Sequence, residues 1–155
     1  MQTTHHRLSR NILLRLLRAS LCVYCLTVHS ATLAETYAVI SMNPDMPELS
    51  STKARMIYTG KTKSLGNVGR VKLLDWPKGS EQRSAFYRLL TNRSESDINS
   101  QWASLAFSGK ARPPREMSNT DESEIVSWLE SNTKGIAYVP GEHIPDGAKV
   151  LLMVE

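Results

Sequence analysis

After residue 35, four segments of the chain consist of apolar, β-prone residues that are typical of buried strands. The first three are followed by proline or glycine, which favour turns, as in Asn43-Pro44 after the first segment. The predicted strands are 36–42, 71–74, 135–139 and 149–154.

Between these strands, apolar residues recur at intervals of three and four, the period of an amphipathic helix. Each stretch follows a residue that can cap a helix N-terminus. We expect helices capped by Ser50 or Ser51, by Ser80, by Ser96 or Asp97, and by Asn119, which forms a capping box with Glu122. Trp102 and Trp128 belong to the apolar stripes and are predicted to be core residues. The stretches 61–69 and 111–115 are predicted to be a loop and a turn segment.

The alternation of strands and helices predicts an α/β fold with a mostly parallel sheet flanked by helices. Ligands of such sheets bind beyond the carboxyl ends of the strands, which directs attention to residues 75–82. No repeat divides residues 35–155, so we expect one domain there.

Residues 1–34 have the pattern of a cleavable signal peptide. Four arginines and no acidic residue precede an apolar stretch, 19–33, that is too short to span a bilayer. Thr32 and Ala34 place small residues where a signal peptidase requires them, which predicts cleavage after Ala34. The alternative is an uncleaved anchor. We therefore predict an exported protein, located in the periplasm.

Removal of that segment changes the charge balance. Four of the 19 basic residues lie in it, which leaves 15 basic and 15 acidic side chains in residues 35–155. A formally neutral domain gives no electrostatic case for nucleic acid. The signs are segregated, however: residues 53–115 hold 13 basic and four acidic side chains, and residues 116–155 hold two and eight. This pattern indicates either a face that attracts anions or ordinary surface charge that mixes on folding.

The same segment contains both cysteines and three of the four histidines. A disulfide framework and a cysteine zinc site are therefore excluded from the remainder, and no metal or cofactor is predicted. Hydrolysis by a Ser/His/Asp triad needs a histidine base. The remaining His143 lies in a Gly-Glu-His-Ile-Pro turn that is typical of an exposed loop, so we predict that the protein is not an enzyme.

The candidate binding site is Gly79-Ser80-Glu81-Gln82, where a strand leads into a helix. Free backbone N–H groups and the helix dipole favour an anion there by about 0.3–1 kcal/mol per interaction at an exposed site. The alternative is a plain N-cap that binds only its own amides.

Several short motifs occur in a set order along the chain. They are Asn43-Pro44 after an apolar strand, Ile57-Tyr58-Thr59-Gly60-Lys61, Lys78-Gly79-Ser80 with Phe86, Phe107-Ser108-Gly109-Lys110, Pro113-Pro114, and Gly135-Ile136-Ala137-Tyr138. Together they resemble a periplasmic phosphate-binding-protein-like domain, as in the substrate-binding components of phosphate ABC transporters. The resemblance covers about residues 37–155 and implies a type II periplasmic-binding-protein-like fold, of which this chain supplies a single lobe.

The resemblance implies a relationship to oxyanion-binding proteins. Our hypothesis for the site is weak binding of phosphate or another small oxyanion at Gly79, Ser80 and Gln82, with help from Arg83 or from the basic loop around Lys61 and Lys63. The family carries an arginine and then Ser-Gly-Thr at this loop. Here Asp75 stands at the arginine's place and Glu81 and Gln82 follow the serine. Carboxylates at 75 and 81 would repel phosphate at short range.

Two functions follow from the sequence. The first is an exported substrate-binding-like protein that binds phosphate or another oxyanion and works with an ABC transporter or a membrane sensor. The second is a single-lobe interaction or sensory accessory protein that no longer binds such a ligand and instead docks a membrane partner or forms a homodimer.

Overall fold

The computed structural model describes residues 35–155, so the predicted signal peptide and its cleavage site lie outside the described residues. The strands are β1 (Tyr37–Ser41), β2 (Ser64–Leu65), β3 (Gly69–Arg70), β4 (Lys72–Asp75), β5 (Arg115–Glu116), β6 (Gly135–Pro140) and β7 (Lys149–Val154). The helices are α1 (Ser51–Tyr58), α2 (Glu81–Thr91), α3 (Glu95–Phe107) and α4 (Ser123–Glu130).

The α/β fold predicted from the sequence is confirmed. Five strands form one sheet in the order β5-β4-β6-β1-β7, while β2 and β3 form a separate two-stranded hairpin. β4 pairs with β5 and β6 in parallel, whereas β1 pairs with β6 and β7 in antiparallel orientation. The sheet is therefore mixed rather than mostly parallel, because the strand that begins the fold runs against both of its neighbours.

The core lies around β1 and β6. All five residues of β1 are buried, as are the first five of β6. The rings of Phe86 and Tyr138 are stacked, and Tyr37 and Tyr58 pack edge-on against both of them. Such aromatic pairs add about 0.5–1.5 kcal/mol each beyond the area they bury. This cluster fixes α2, which carries Phe86, against the centre of the sheet.

Two helix starts agree with the predicted caps. The Ser50 hydroxyl accepts a hydrogen bond from the backbone N–H of Lys53, and the Ser80 hydroxyl accepts one from Arg83. The other two caps were wrongly predicted. α3 is capped by Ser94, whose reciprocal bonds with Asp97 form a capping box, and α4 begins after Glu122 without a side-chain cap.

Two segments predicted to be irregular are partly ordered. The basic stretch 61–69 contains β2 and a 3₁₀ turn, Gly66–Val68, and runs into β3. The turn segment 111–115 leads into β5, which adds two residues to the sheet edge beside β4. Both elements are two residues long, and a sequence period cannot identify strands of that length.

Candidate functional site

The predicted site lies where β4 ends and α2 begins. β4 ends at Asp75, and a short connection leads to Ser80, the N-cap of α2. Gly79 has a φ of +79°, a conformation that favours glycine because it lacks a Cβ. The connection turns at Gly79, and its backbone N–H groups are bound within the chain: Lys78 donates to Glu116 and Gly79 donates to Glu95.

The four residues predicted to bind an anion have different surroundings. Gly79 is exposed and its N–H donates a hydrogen bond to Oε1 of Glu95 at 3.0 Å. Ser80 and Gln82 are half-buried, and the Ser80 hydroxyl accepts the N–H of Arg83. The Arg83 side chain is buried. The structure thus brings these residues to one helix end, and their role in binding stays a prediction.

Arg83 is held from all sides of its guanidinium group. Nη1 lies 3.0 Å from Oδ2 of Asp75 and donates to the carbonyl oxygen of Trp76, also at 3.0 Å. Nη2 donates to Oδ1 of Asn99 at 2.9 Å, and Nε lies 3.2 Å from Oε1 of Glu95. Because its partners are two carboxylates, a carbonyl and an amide oxygen, Arg83 neutralises charge of its own chain.

Asp75, at the end of β4, is almost completely buried. Its carboxylate accepts hydrogen bonds from the hydroxyls of Tyr87 and Tyr138 as well as facing Arg83. Burial raises the pKa of Asp75, and the charge of Arg83 and the two tyrosine hydroxyls act in the opposite direction. Asp75 therefore pairs with Arg83 below the surface.

Glu95 is the residue of this site that sequence reasoning missed. Its Oε2 accepts the hydroxyl of Ser84 at 2.8 Å, in addition to the bond from Gly79 to Oε1 and the contact with Arg83. Burial alone would raise its pKa, but the hydrogen bonds from Gly79 and Ser84 and the charge of Arg83 together lower the pKa of Glu95 below its ordinary value. The Glu95 carboxylate is thus a bound anion supplied by the chain itself.

Glu95 is also well placed in its own helix. It is the first residue of α3, where the helix dipole favours a negative charge. Its carboxylate therefore lies where the N-terminal ends of α2 and α3 meet. The sequence contains one hint, an acidic residue directly after the serine that caps α3, but nothing local pairs it with Gly79.

Residues 35–155 contain few other groups that could bind a metal or act in catalysis. No group of three or more His, Cys, Asp or Glu side chains there could hold a metal ion. His143 is half-exposed and its Nδ1 lies 2.8 Å from Oε1 of Glu122, whose hydrogen bond and charge raise the pKa of the imidazole. None of the helices in the described part of the chain is both long and apolar enough to cross a membrane.

Comparison with known proteins finds relatives of this chain by structure but not by sequence. No protein-family model matches the chain, and no curated protein matches its sequence significantly. A Clostridium perfringens protein assigned as a phosphate ABC transporter substrate-binding protein, crystallised with phosphate, matches with a TM-score of 0.58 and 18% identity over 76% of this chain and 44% of its own.

Two further crystal structures agree with this match. An ABC-type phosphate transport receptor from Vibrio cholerae has a TM-score of 0.56 and 15% identity, over 76% of this chain and 45% of its own. PstS from Borrelia burgdorferi has a TM-score of 0.55 and 13% identity, over 76% of this chain and 46% of its own. This chain spans less than half the length of each. The resemblance stated from the sequence is confirmed as a shared fold: the chain has the α/β architecture of part of the phosphate ABC transporter substrate-binding proteins.

Proposed function

We propose that this protein is an exported, substrate-binding-protein-like domain that acts through a binding partner and does not capture phosphate at α2. The observation that supports this proposal is the position of Glu95. Its carboxylate takes the Gly79 N–H, the Ser84 hydroxyl and the Arg83 guanidinium, three donors of the kind an oxyanion would need. An incoming phosphate would have to displace a carboxylate that is only 13% exposed.

The charges around Arg83 support the same proposal. Arg83, which the sequence suggested as an anion ligand, already faces both Asp75 and Glu95. Adding a phosphate there would place three anionic groups around one guanidinium. Like charges in a partly buried site repel strongly because water screens them poorly.

The competing function is capture of phosphate or another small oxyanion through Gly79, Ser80, Gln82 and Arg83. It is supported by the fold shared with a protein crystallised with phosphate and by the position of these residues at the α2 N-terminus. It requires Glu95 to move away or to become protonated when the anion arrives.

Calorimetric titration with inorganic phosphate separates the two functions. We expect no saturable heat from the wild-type protein at millimolar phosphate, and weak saturable binding after Glu95→Ala, which frees the donors. Glu95→Gln serves as a control because it removes the charge but keeps an oxygen acceptor in place. Saturable binding by the wild type that Ser80→Ala abolishes would establish oxyanion capture and overturn our proposal.

The proposed mode of action has its own tests. One exposed side chain that a partner would bury is Phe107, which is 98% exposed at the end of α3. Sedimentation velocity over a range of protein concentrations tests self-association, and Phe107→Ser should weaken any homodimer that forms through this residue. For docking to an ABC transporter or membrane sensor, co-purification from membranes with wild-type and Phe107→Ser protein is the corresponding comparison.

Export is proposed from the sequence of residues 1–34. If a signal peptidase cuts after Ala34, the protein recovered from the periplasm begins at Glu35. N-terminal sequencing of that fraction tests both the location and the cleavage site; recovery of an unprocessed chain in the membrane fraction would contradict them.

A further inference from the structure

A cavity of about 770 Å³ lies beside the amino ends of the parallel strands. Its wall is built from residues at or just before the amino ends of the three parallel strands: Arg70 and Val71 before β4, Arg112 to Pro114 before β5, and Asn132 before β6. The α2 N-terminus follows the carboxyl end of β4. Neither Glu95 nor Arg83 lines the cavity, although a smaller pocket beside Arg83 shares Trp102 and the Pro113-Pro114 pair with it.

The rim of this cavity is strongly basic. Five of its lining residues carry positive charge and none carries negative charge: Lys63, Arg70, Lys72, Arg112 and Arg115. One third of the 15 basic side chains of residues 35–155 thus surround one opening, although the domain is formally neutral. The segregation of charge along the sequence is matched here by a basic patch in space.

The contacts of these side chains leave their charge largely uncompensated. Lys72 donates to the Asn132 amide oxygen at 2.7 Å and Lys63 donates to the Lys110 carbonyl oxygen, and both acceptors are neutral. Arg115 faces the Glu124 carboxylate at 3.8 Å with 60% of its side chain exposed. An exposed pair of that length contributes about 0–1 kcal/mol.

The inner wall of the cavity is apolar. The edges of Trp102 and Trp128 lie there with Ile57 and the Pro113-Pro114 pair. Both indoles are more than nine-tenths buried, so they are fixed by the core rather than by solvent contacts. A cavity of this size lies within the range of about 300–1,000 Å³ that small-molecule sites occupy. Inorganic phosphate would fill only a small part of it.

We infer that this cavity binds a small organic anion that has a flat apolar body and at least two negative charges. The body would lie against the tryptophan edges and the prolines, and the charges would face the ring of arginines and lysines. Charge-assisted hydrogen bonds from Arg70 and Arg112 would orient it, because guanidinium groups bind carboxylate, sulfate and phosphate oxygens in pairs.

The test is a titration with pyrene tetrasulfonate, a flat aromatic tetra-anion, followed by probe anisotropy and by tryptophan quenching. We expect saturable binding that Arg70→Gln/Arg112→Gln weakens by at least about tenfold. The matched control, Lys53→Gln/Arg88→Gln, removes the same charge from α1 and α2, away from the cavity, and should change affinity by less than about twofold. Glu95→Gln should leave binding unchanged.

Three results would overturn the inference. Absence of saturable binding would exclude the site for this ligand class. Equal weakening by both double variants would show that the domain attracts anions without a defined cavity. Equal affinity for inorganic phosphate would contradict the requirement for an apolar body. Because Glu95 lies outside the cavity, none of these results depends on the outcome of the phosphate titration at α2.

Discussion

The Glu95 carboxylate and the backbone N–H of Gly79 form a 3.0 Å hydrogen bond between the first residue of α3 and the turn that leads into α2. The bond joins the starts of two helices, α2 and α3. It makes the geometry of that turn depend on α3, so changes at Glu95 should affect both stability and ligand access.

Replacement of Glu95 should lower the stability of the fold more than replacement of an exposed glutamate. Glu95→Ala leaves the Gly79 N–H and the Ser84 hydroxyl without their acceptor and removes a carboxylate that faces Arg83. We expect the free energy of unfolding to fall by about 1.5–3 kcal/mol. Urea denaturation followed by circular dichroism measures this. Glu130→Ala, at the exposed end of α4, is the control and should change stability by less than about 0.5 kcal/mol. Equal effects of the two variants would contradict the bond network.

The lowered pKa of Glu95 predicts a dependence on acid. A carboxyl whose pKa is lower in the folded than in the unfolded state stabilises the fold above its ordinary pKa of 4.5, and this contribution is lost as the pH falls through the folded value. The stability difference between wild type and Glu95→Gln should therefore be constant near neutral pH and shrink below pH 4.5. Urea denaturation at a series of pH values measures this difference. A difference that grows on acidification would contradict the assigned direction.

The Asp75–Arg83 pair should show strong coupling. Arg83→Met leaves a buried carboxylate without its cation, which costs about 3–5 kcal/mol. Asp75→Asn/Arg83→Met removes both charges, and we expect it to cost clearly less than the sum of the two single changes. The double-mutant cycle in urea gives the coupling free energy. Additive effects would mean that Tyr87 and Tyr138, rather than Arg83, hold Asp75 in place.

Gly60 should be intolerant of any side chain. Its φ is +71°, and a Cβ there would lie 2.6 Å from Cδ1 of Leu105 and 2.8 Å from the Trp102 ring. Gly109 has a similar φ of +69° but open space around it. We expect Gly109→Ala to cost about 1–2 kcal/mol from backbone strain and Gly60→Ala to cost about 1–3 kcal/mol more from the clash. Thermal and urea denaturation of the two variants test this ordering.

The parts of the fold that were predictable are those encoded locally. Ser80 was identified as an N-cap because the cap and the apolar stripe of α2 are adjacent in sequence. Ser94 was missed in favour of Ser96 and Asp97 because three capping residues lie within four positions. The Ser94-to-Asp97 spacing was the signal that distinguished them.

The parts that could not be predicted depend on distant contacts. The orientation of β1 is decided by pairing with β6 and β7, and no local pattern encodes it. The pairing of Glu95 with Gly79 likewise follows from how α2 packs on α3. The predicted core tryptophans Trp102 and Trp128 are buried as expected, but their exposed edges become part of a cavity only when β4 and β5 are in place.

The position of β1 has a consequence for how the chain folds. Its five buried residues pair only with β6 and β7. Tyr37, for example, pairs with Pro140 and Val154, which lie far along the chain. Closing such long loops costs entropy before any contact repays it, and proteins dominated by distant pairings fold slowly. β1 can pair with β6 once residues 135–140 are present, but its other edge stays unpaired until β7 arrives. An unpaired edge on a buried, mostly apolar strand is a site of aggregation, so that interval carries the greatest risk.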